Sequence, residues 1–172
     1  MSPLPYPLRH NLATPADLVL GGLSIQDTSF RNDNYKLTST AGPSYLLKHA
    51  TAPDKVATLR NEAAVYALLN AGPAASAVEP FLPPFHSFDE GDNMLVLGLL
   101  PEARTLSEHY RRTAAFPTSH ARALARALAA LHRLDPGPWR STLPSAYREG
   151  TGHWALGLHR PTLADIQNAS LA

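Results

Sequence analysis

The chain contains no cysteine. That excludes a disulfide framework, a thiolate nucleophile and cysteine-ligated zinc, and it suits a reducing compartment. Nowhere do about eighteen apolar residues run together, so no segment is expected to span a bilayer. Neither sign of charge is in excess: fifteen Lys and Arg against fourteen Asp and Glu leave a net charge of +1. A nucleic-acid binder driven by counterion release needs a basic surplus, so that class is set aside. Residues 1–99 carry six basic and nine acidic side chains, and residues 100–172 carry nine and five. This mild asymmetry fits a solvated surface. The start, Met1-Ser2-Pro3-Leu4-Pro5, lacks the basic residues and apolar stretch of a secretory signal, so a cytoplasmic protein is expected. No internal repeat, low-complexity tract or Gly-x-Ser-x-Gly elbow occurs. The eight histidines are scattered, and no pair shows metal-ligand spacing beside an acid.

What is present is punctuation and periodicity. Sixteen prolines cluster at joints, four of them within residues 1–16, which predicts an extended lead-in over residues 1–19. Leu23 and Ile25 alternate with polar residues, a polar stretch follows from Asp27 to Asn34, and alternation resumes at Tyr35-Lys36-Leu37-Thr38. Ala41-Gly42-Pro43 is a turn signal before the apolar Tyr45-Leu46-Leu47-Lys48, so three successive antiparallel strands are expected. Thr51-Ala52-Pro53-Asp54 has the form of a capping box, and Val56, Leu59, Ala63, Tyr66 and Ala67 then recur on one helical face until Gly72-Pro73. Phe85-His86-Ser87-Phe88 and Met94-Leu95-Val96-Leu97 flank Asp89-Glu90-Gly91-Asp92, a hairpin whose second strand is apolar enough to be central. After Pro101, a short helix is expected over Thr105 to Arg112. A longer one over His120–Leu134 would be capped by Ser119 and bury Ala121, Leu124, Leu128 and Leu131. Asp135-Pro136-Gly137 closes that helix, and the remainder shows little periodicity until Thr162 and stops at Ala172 without a stop signal.

Two residues stand out chemically. Lys48 ends the third strand and shares a face with Leu46 by alternation. A lysine there also suits a stem lying along the sheet with its head in water. Glu62, fourteen residues on, lies three residues after Leu59 and four before Tyr66, on the inward stripe of the helix. A carboxylate on a buried stripe is costly unless paired, and a lysine on the neighbouring strand is its natural partner. The alternative is a flank-facing glutamate in solvent.

This order of elements, with Lys48 and Glu62 in place, resembles the small lobe of protein-kinase-like phosphotransferases, and more closely the aminoglycoside phosphotransferase family, over roughly residues 20–135. The resemblance implies an α+β fold: a five-stranded antiparallel sheet with one packed helix (residues 20–100), then a hinge and the first helices of a large lobe (residues 101–172). It further implies that Lys48 neutralises ATP phosphates and is held by Glu62, and that Leu46 covers the adenine. The backbone of Leu97-Gly98-Leu99-Leu100-Pro101 would meet the adenine edge beside Leu99 and Leu100. The polar loop has no glycine. Ser29-Phe30-Arg31-Asn32-Asp33-Asn34 is similar to the Ser/Asn-rich versions of such relatives, which assigns phosphate contact to Ser29 and Asn32, although a plain polar hairpin would read the same.

The family's catalytic loop, His-x-Asp with Asn five residues after the Asp, and its metal-holding Asp do not occur in these 172 residues. His132-Arg133-Leu134-Asp135 closes a helix, and Arg140 stands where Asn is required. The expectation is therefore an incomplete phosphotransferase with weak or no ATP binding of its own, Mg²⁺ serving only complete relatives. An apolar patch, covered by a partner or by self-association, is expected on the helices. A non-catalytic module binding a nucleotide or a partner, and a gene fragment without function, are the alternatives.

Overall fold

The computed structural model describes residues 5–29, 33–71, 75–100 and 103–134. Five strands, β1 (Leu23–Asp27), β2 (Asp33–Ser39), β3 (Tyr45–His49), β4 (Phe85–Asp89) and β5 (Met94–Gly98), form one sheet in the order β1-β2-β3-β5-β4. Every neighbouring pair is antiparallel, and the register fixes the two faces. Ile25, Leu37 and Tyr45 align on one face, as do Tyr35, Leu47 and Val96; Gln26, Lys36, Leu46 and Leu97 align on the other. A bulge between Phe85 and Ser87 interrupts the β4–β5 ladder. The architecture is α+β, and β5 is interior, as its apolar run implies.

Six helices accompany the sheet: α1 (Pro5–Arg9), α2 (Pro15–Val19), α3 (Pro53–Ala71), α4 (Ala75–Val78), α5 (Leu106–Thr113) and α6 (Thr118–His132). A 3₁₀ turn over Glu79–Phe81 follows α4. Leu59 and Ala63 of α3 bury themselves against Leu95 and Leu97, with Val56, Tyr66, Phe85 and Phe88 packed at the edges. The other sheet face, with Leu37, Leu47, Met94 and Val96, is covered by Tyr6 and Leu12.

That second cover corrects the expected extended lead-in. Pro5 and Pro15 each open a helix, where the missing N–H costs nothing because the first turn has no acceptor for it. Thr14 and Asp17 close a reciprocal capping box on α2. Other departures are local. Helix α3 begins at Pro53, with the Ala52 carbonyl accepting from the Val56 N–H, one residue later than a Thr51 cap would place it. Ala67 is exposed. Pro117, without a side-chain cap bond, precedes α6 in place of Ser119. Thr105 caps α5 through Glu108.

The expected stripe on α6 is turned outward: Leu124, Leu128 and Leu131 are 53%, 45% and 40% exposed. Its less exposed positions are His120, Ala127, Ala129 and Ala130, and the helix lies against α4. Small alanines permit that approach, and with alanine on most faces the leucines alone mispredict the buried side. Among the described residues no helix is long and apolar enough to cross a membrane. Asn32, Gly72-Pro73, Pro101, Asp135-Pro136-Gly137 and the expected helix start at Thr162 lie outside the described residues.

Tyr6 carries a testable consequence of the α1 contact. Burial, and after it the charges of Asp89 and Asp92, push its pKa up from 10.0 to about 12. The folded form then holds a proton that the unfolded chain releases. The associated stability is complete below pH 10.0 and is lost as pH rises toward about 12. Chemical-denaturation midpoints across that window should fall more steeply for the native chain than for Tyr6→Phe.

Candidate functional site

Lys48 and Glu62 meet where β3 runs beneath α3. Lys48 Nζ donates to Glu62 Oε1 at 2.6 Å and to Oε2 at 2.7 Å, a bidentate contact with side chains 19% and 31% exposed. Two periodicities bring them together. Alternation along β3 places Lys48 on the face that carries Leu46, and the turn of α3 places Glu62 between buried Leu59 and half-buried Tyr66. Burial, and then the Glu62 charge, raises the Tyr66 pKa. The carboxylate thus lies beside an aromatic wall, with the lysine as its ion-pair partner. Both groups retain an exposed edge.

Next to this pair, on the same sheet face, lies a cleft of about 460 Å³. Leu46, Gly98, Leu99 and Leu100, all anticipated from the sequence, line it together with Gln26, Lys36 and Thr38 of the first two strands. Arg104, Thr105 and Glu108 form the wall from the start of α5. Lys48 stands beside the cleft rather than in its wall, two residues along β3 from Leu46.

The exit of β5 is narrow. A Cβ on Gly98 would meet Cβ and Cγ of Pro84 at 3.1 Å, and a proline ring gives little. Gly98→Ala should therefore cost about 1–3 kcal/mol through overpacking, read as a lower urea midpoint. The Gly98 N–H is bonded to the Pro84 carbonyl and the Leu99 N–H to the Ser44 carbonyl. The Leu100 carbonyl accepts from Ala103. Of the three N–H groups at residues 98–100, only that of Leu100 has no backbone partner among the described residues. The supply of edge-binding donors is smaller than the sequence suggested.

Ser29 closes the β1–β2 loop. Its hydroxyl accepts from the Asn34 N–H at 3.0 Å, and its own N–H donates to Asp27 Oδ1 at 2.8 Å. The serine therefore shapes the loop at the strand ends, and Asn32 lies outside the described residues.

Three residues escaped the sequence reading. Asn34 pairs across the ladder with Lys48, and its Oδ1 is buried without a partner among the described residues. Lys36 pairs with Leu46 and lines the cleft. Extending the β2 alternation back to Asn34 would have placed both on the Lys48 face. Glu108 reaches the cleft through its capping role. Hydrogen bonds from Thr105 hold its carboxyl below the usual range, with the Lys36 charge a smaller contribution. Only tertiary structure brings it near β2.

A cation held by a carboxylate thus stands beside a leucine-lined cleft, and at the strand exit the Leu100 N–H has no backbone partner among the described residues. Comparison with known proteins bears on what this arrangement serves. The family model described as the phosphotransferase enzyme family matches residues 26–169. No curated protein and no solved structure matches the chain. The match extends over more than half of the sequence and includes both members of the ion pair, the cleft and α5–α6; the chain belongs to the phosphotransferase enzyme family.

Proposed function

We propose that this chain supplies the nucleotide cradle of an ATP-dependent phosphotransferase whose acceptor is a small hydroxylated molecule. The bidentate Lys48–Glu62 contact beside the leucine-lined cleft carries this reading. An ammonium has three donors; two face Glu62, and the third is left for an α- or β-phosphate oxygen. Leu46, Leu99 and Leu100 enclose the adenine, and the Leu100 N–H meets its edge. The family resemblance assigns phosphate contact to Ser29 in the β1–β2 loop and to Asn32, which lies outside the described residues. Bound Mg²⁺ would neutralise the β- and γ-phosphates.

The 172 residues contain no His-x-Asp with Asn five residues further on, the pattern that orients an acceptor hydroxyl and helps to hold the metal. This chain by itself should therefore bind ATP with a Kd of about 1 mM or weaker, worth roughly 4 kcal/mol. It should release no ADP in the presence of an acceptor. Calorimetry of ATP with and without Mg²⁺, on the native chain and on Lys48→Ala, tests the first statement. An ADP-release assay with a panel of aminoglycosides tests the second. Micromolar, Lys48-dependent binding without turnover would favour a nucleotide-binding module, and acceptor-dependent turnover would contradict the cradle-only account.

A further inference from the structure

On the sheet face opposite Lys48, three side chains with metal-ligating atoms converge from positions far apart in the sequence. His10 follows α1, Asp89 ends β4, and Asp92 lies in the β4–β5 turn. His10 Nε2 is 3.3 Å from Asp89 Oδ2 and 3.7 Å from Asp92 Oδ2. One ligand atom from each of the three lies within 4.8 Å of the others. Zinc bonds to nitrogen and oxygen measure about 2.0–2.2 Å, so neighbouring donors in a tetrahedral shell sit roughly 3.4 Å apart. The two His–Asp edges already bracket that value.

The donors are also held from outside. The His10 ring stacks on Tyr6 with centroids 4.1 Å apart. Tyr6 itself is only 4% exposed, and its backbone carbonyl accepts from the His10 N–H at 3.1 Å. Asp89 Oδ1 accepts from the N–H groups of Gly91 and Asp92, which leaves Oδ2 turned to the histidine. Arg9 Nη2 reaches Asp92 Oδ2 at 2.7 Å, so the carboxylates already draw a cation to this spot. The three side chains are 37%, 23% and 26% exposed, which gives an ion access and leaves room for a water ligand.

We propose that His10, Asp89 and Asp92 form a binding site for a divalent transition-metal ion of zinc's class, which fastens the N-terminal segment to the β4–β5 turn. One imidazole nitrogen with two carboxylate oxygens suits zinc or cobalt; magnesium prefers an all-oxygen octahedron and keeps its waters. The site lies across the sheet from the nucleotide cradle and does not depend on it. Arg9 is its competitor, since it occupies an oxygen the ion would use.

The test is titration of the 172-residue chain with Zn²⁺, Co²⁺ and Mg²⁺, followed by calorimetry and, for Co²⁺, by visible absorption. One equivalent of Zn²⁺ or Co²⁺ should bind in the micromolar range, with a rise in melting temperature, while Mg²⁺ at the same concentrations does neither. His10→Gln should weaken Zn²⁺ binding at least about tenfold. Arg9→Gln, which frees the Asp92 oxygen, should strengthen it. If His10→Gln disturbs the packing of α1, Asp92→Asn gives the same reading with the histidine in place. Zn²⁺ binding that survives both substitutions unchanged would put the ion on other histidines and overturn the proposal. Absence of saturable binding below millimolar Zn²⁺ would overturn it equally.

Discussion

Replacing Leu95 by alanine is expected to remove about 3–5 kcal/mol of stability. Leu95 is fully buried in β5, with Lys48 across one ladder and Phe88 across the other. Above it lie Leu59 and Ala63 of α3. Neither neighbouring strand can move in without breaking its own ladder, so the space left by the side chain persists as a cavity. A domain of ordinary stability has about 5–15 kcal/mol in all, so the loss is a large fraction of it. Equilibrium urea unfolding should show a much lower midpoint with an unchanged slope. Because the cavity opens beneath the Lys48–Glu62 contact, nucleotide binding should weaken as well. A fall of less than about 1 kcal/mol would mean that α3 does not seal this face of the sheet.

The second large effect concerns the pair itself. Lys48→Met keeps the stem and deletes the charge, leaving Glu62 facing Tyr66 without its cation. Glu62→Gln leaves an ammonium with a neutral partner. Charge-assisted bidentate bonds are stronger than neutral ones, and these side chains are 19% and 31% exposed, which moderates the gain through solvent screening. Each single change should cost about 1–2 kcal/mol of stability, and the double variant should cost less than the sum. That non-additivity is the signature of direct contact. For ATP the two changes should differ. Lys48→Met removes the phosphate contact and should weaken binding by about tenfold or more. Glu62→Gln should weaken it less, because the cation remains while its position loosens. Equal losses would indicate that the lysine does not touch the ligand.

The parts of the fold legible in the sequence are those where one periodicity has one interpretation. All five strands follow from alternation or apolar runs bounded by turn signals, and the apolar run of β5 marks it as interior, which agrees with its place between β3 and β4. The Lys48–Glu62 contact was legible for the same reason: period two on a strand and a 3.6-residue period on a helix each fixed one side chain, and cost of burial joined them. The N-terminal helices were not legible. Proline at a first helical position and proline in an extended lead look alike without the packing of Tyr6 and Leu12 against the sheet. The outward turn of Leu124, Leu128 and Leu131 was hidden by alanines on the opposite side of α6. His10 and Asp92 are 82 positions apart, so no local spacing rule reaches them, and their approach depends on where α1 docks. The contributions of Lys36 and Asn34 were visible in principle, since both follow from the register of β2 once its first residue is known.

The chain holds only three lysines, Lys36 in the cleft, Lys48 in the ion pair and Lys55 on the exposed side of α3. An ATP derivative with a reactive acyl phosphate at its terminal phosphate transfers the acyl group to an amine that lies beside the phosphates. Mass spectrometry after brief labelling should find the acyl group on Lys48, with excess ATP protecting that residue and leaving Lys55 unaffected. Labelling of Lys36 or Lys55 in preference to Lys48, or labelling of Lys48 that ATP does not suppress, would contradict the assignment of this ion pair to the nucleotide phosphates.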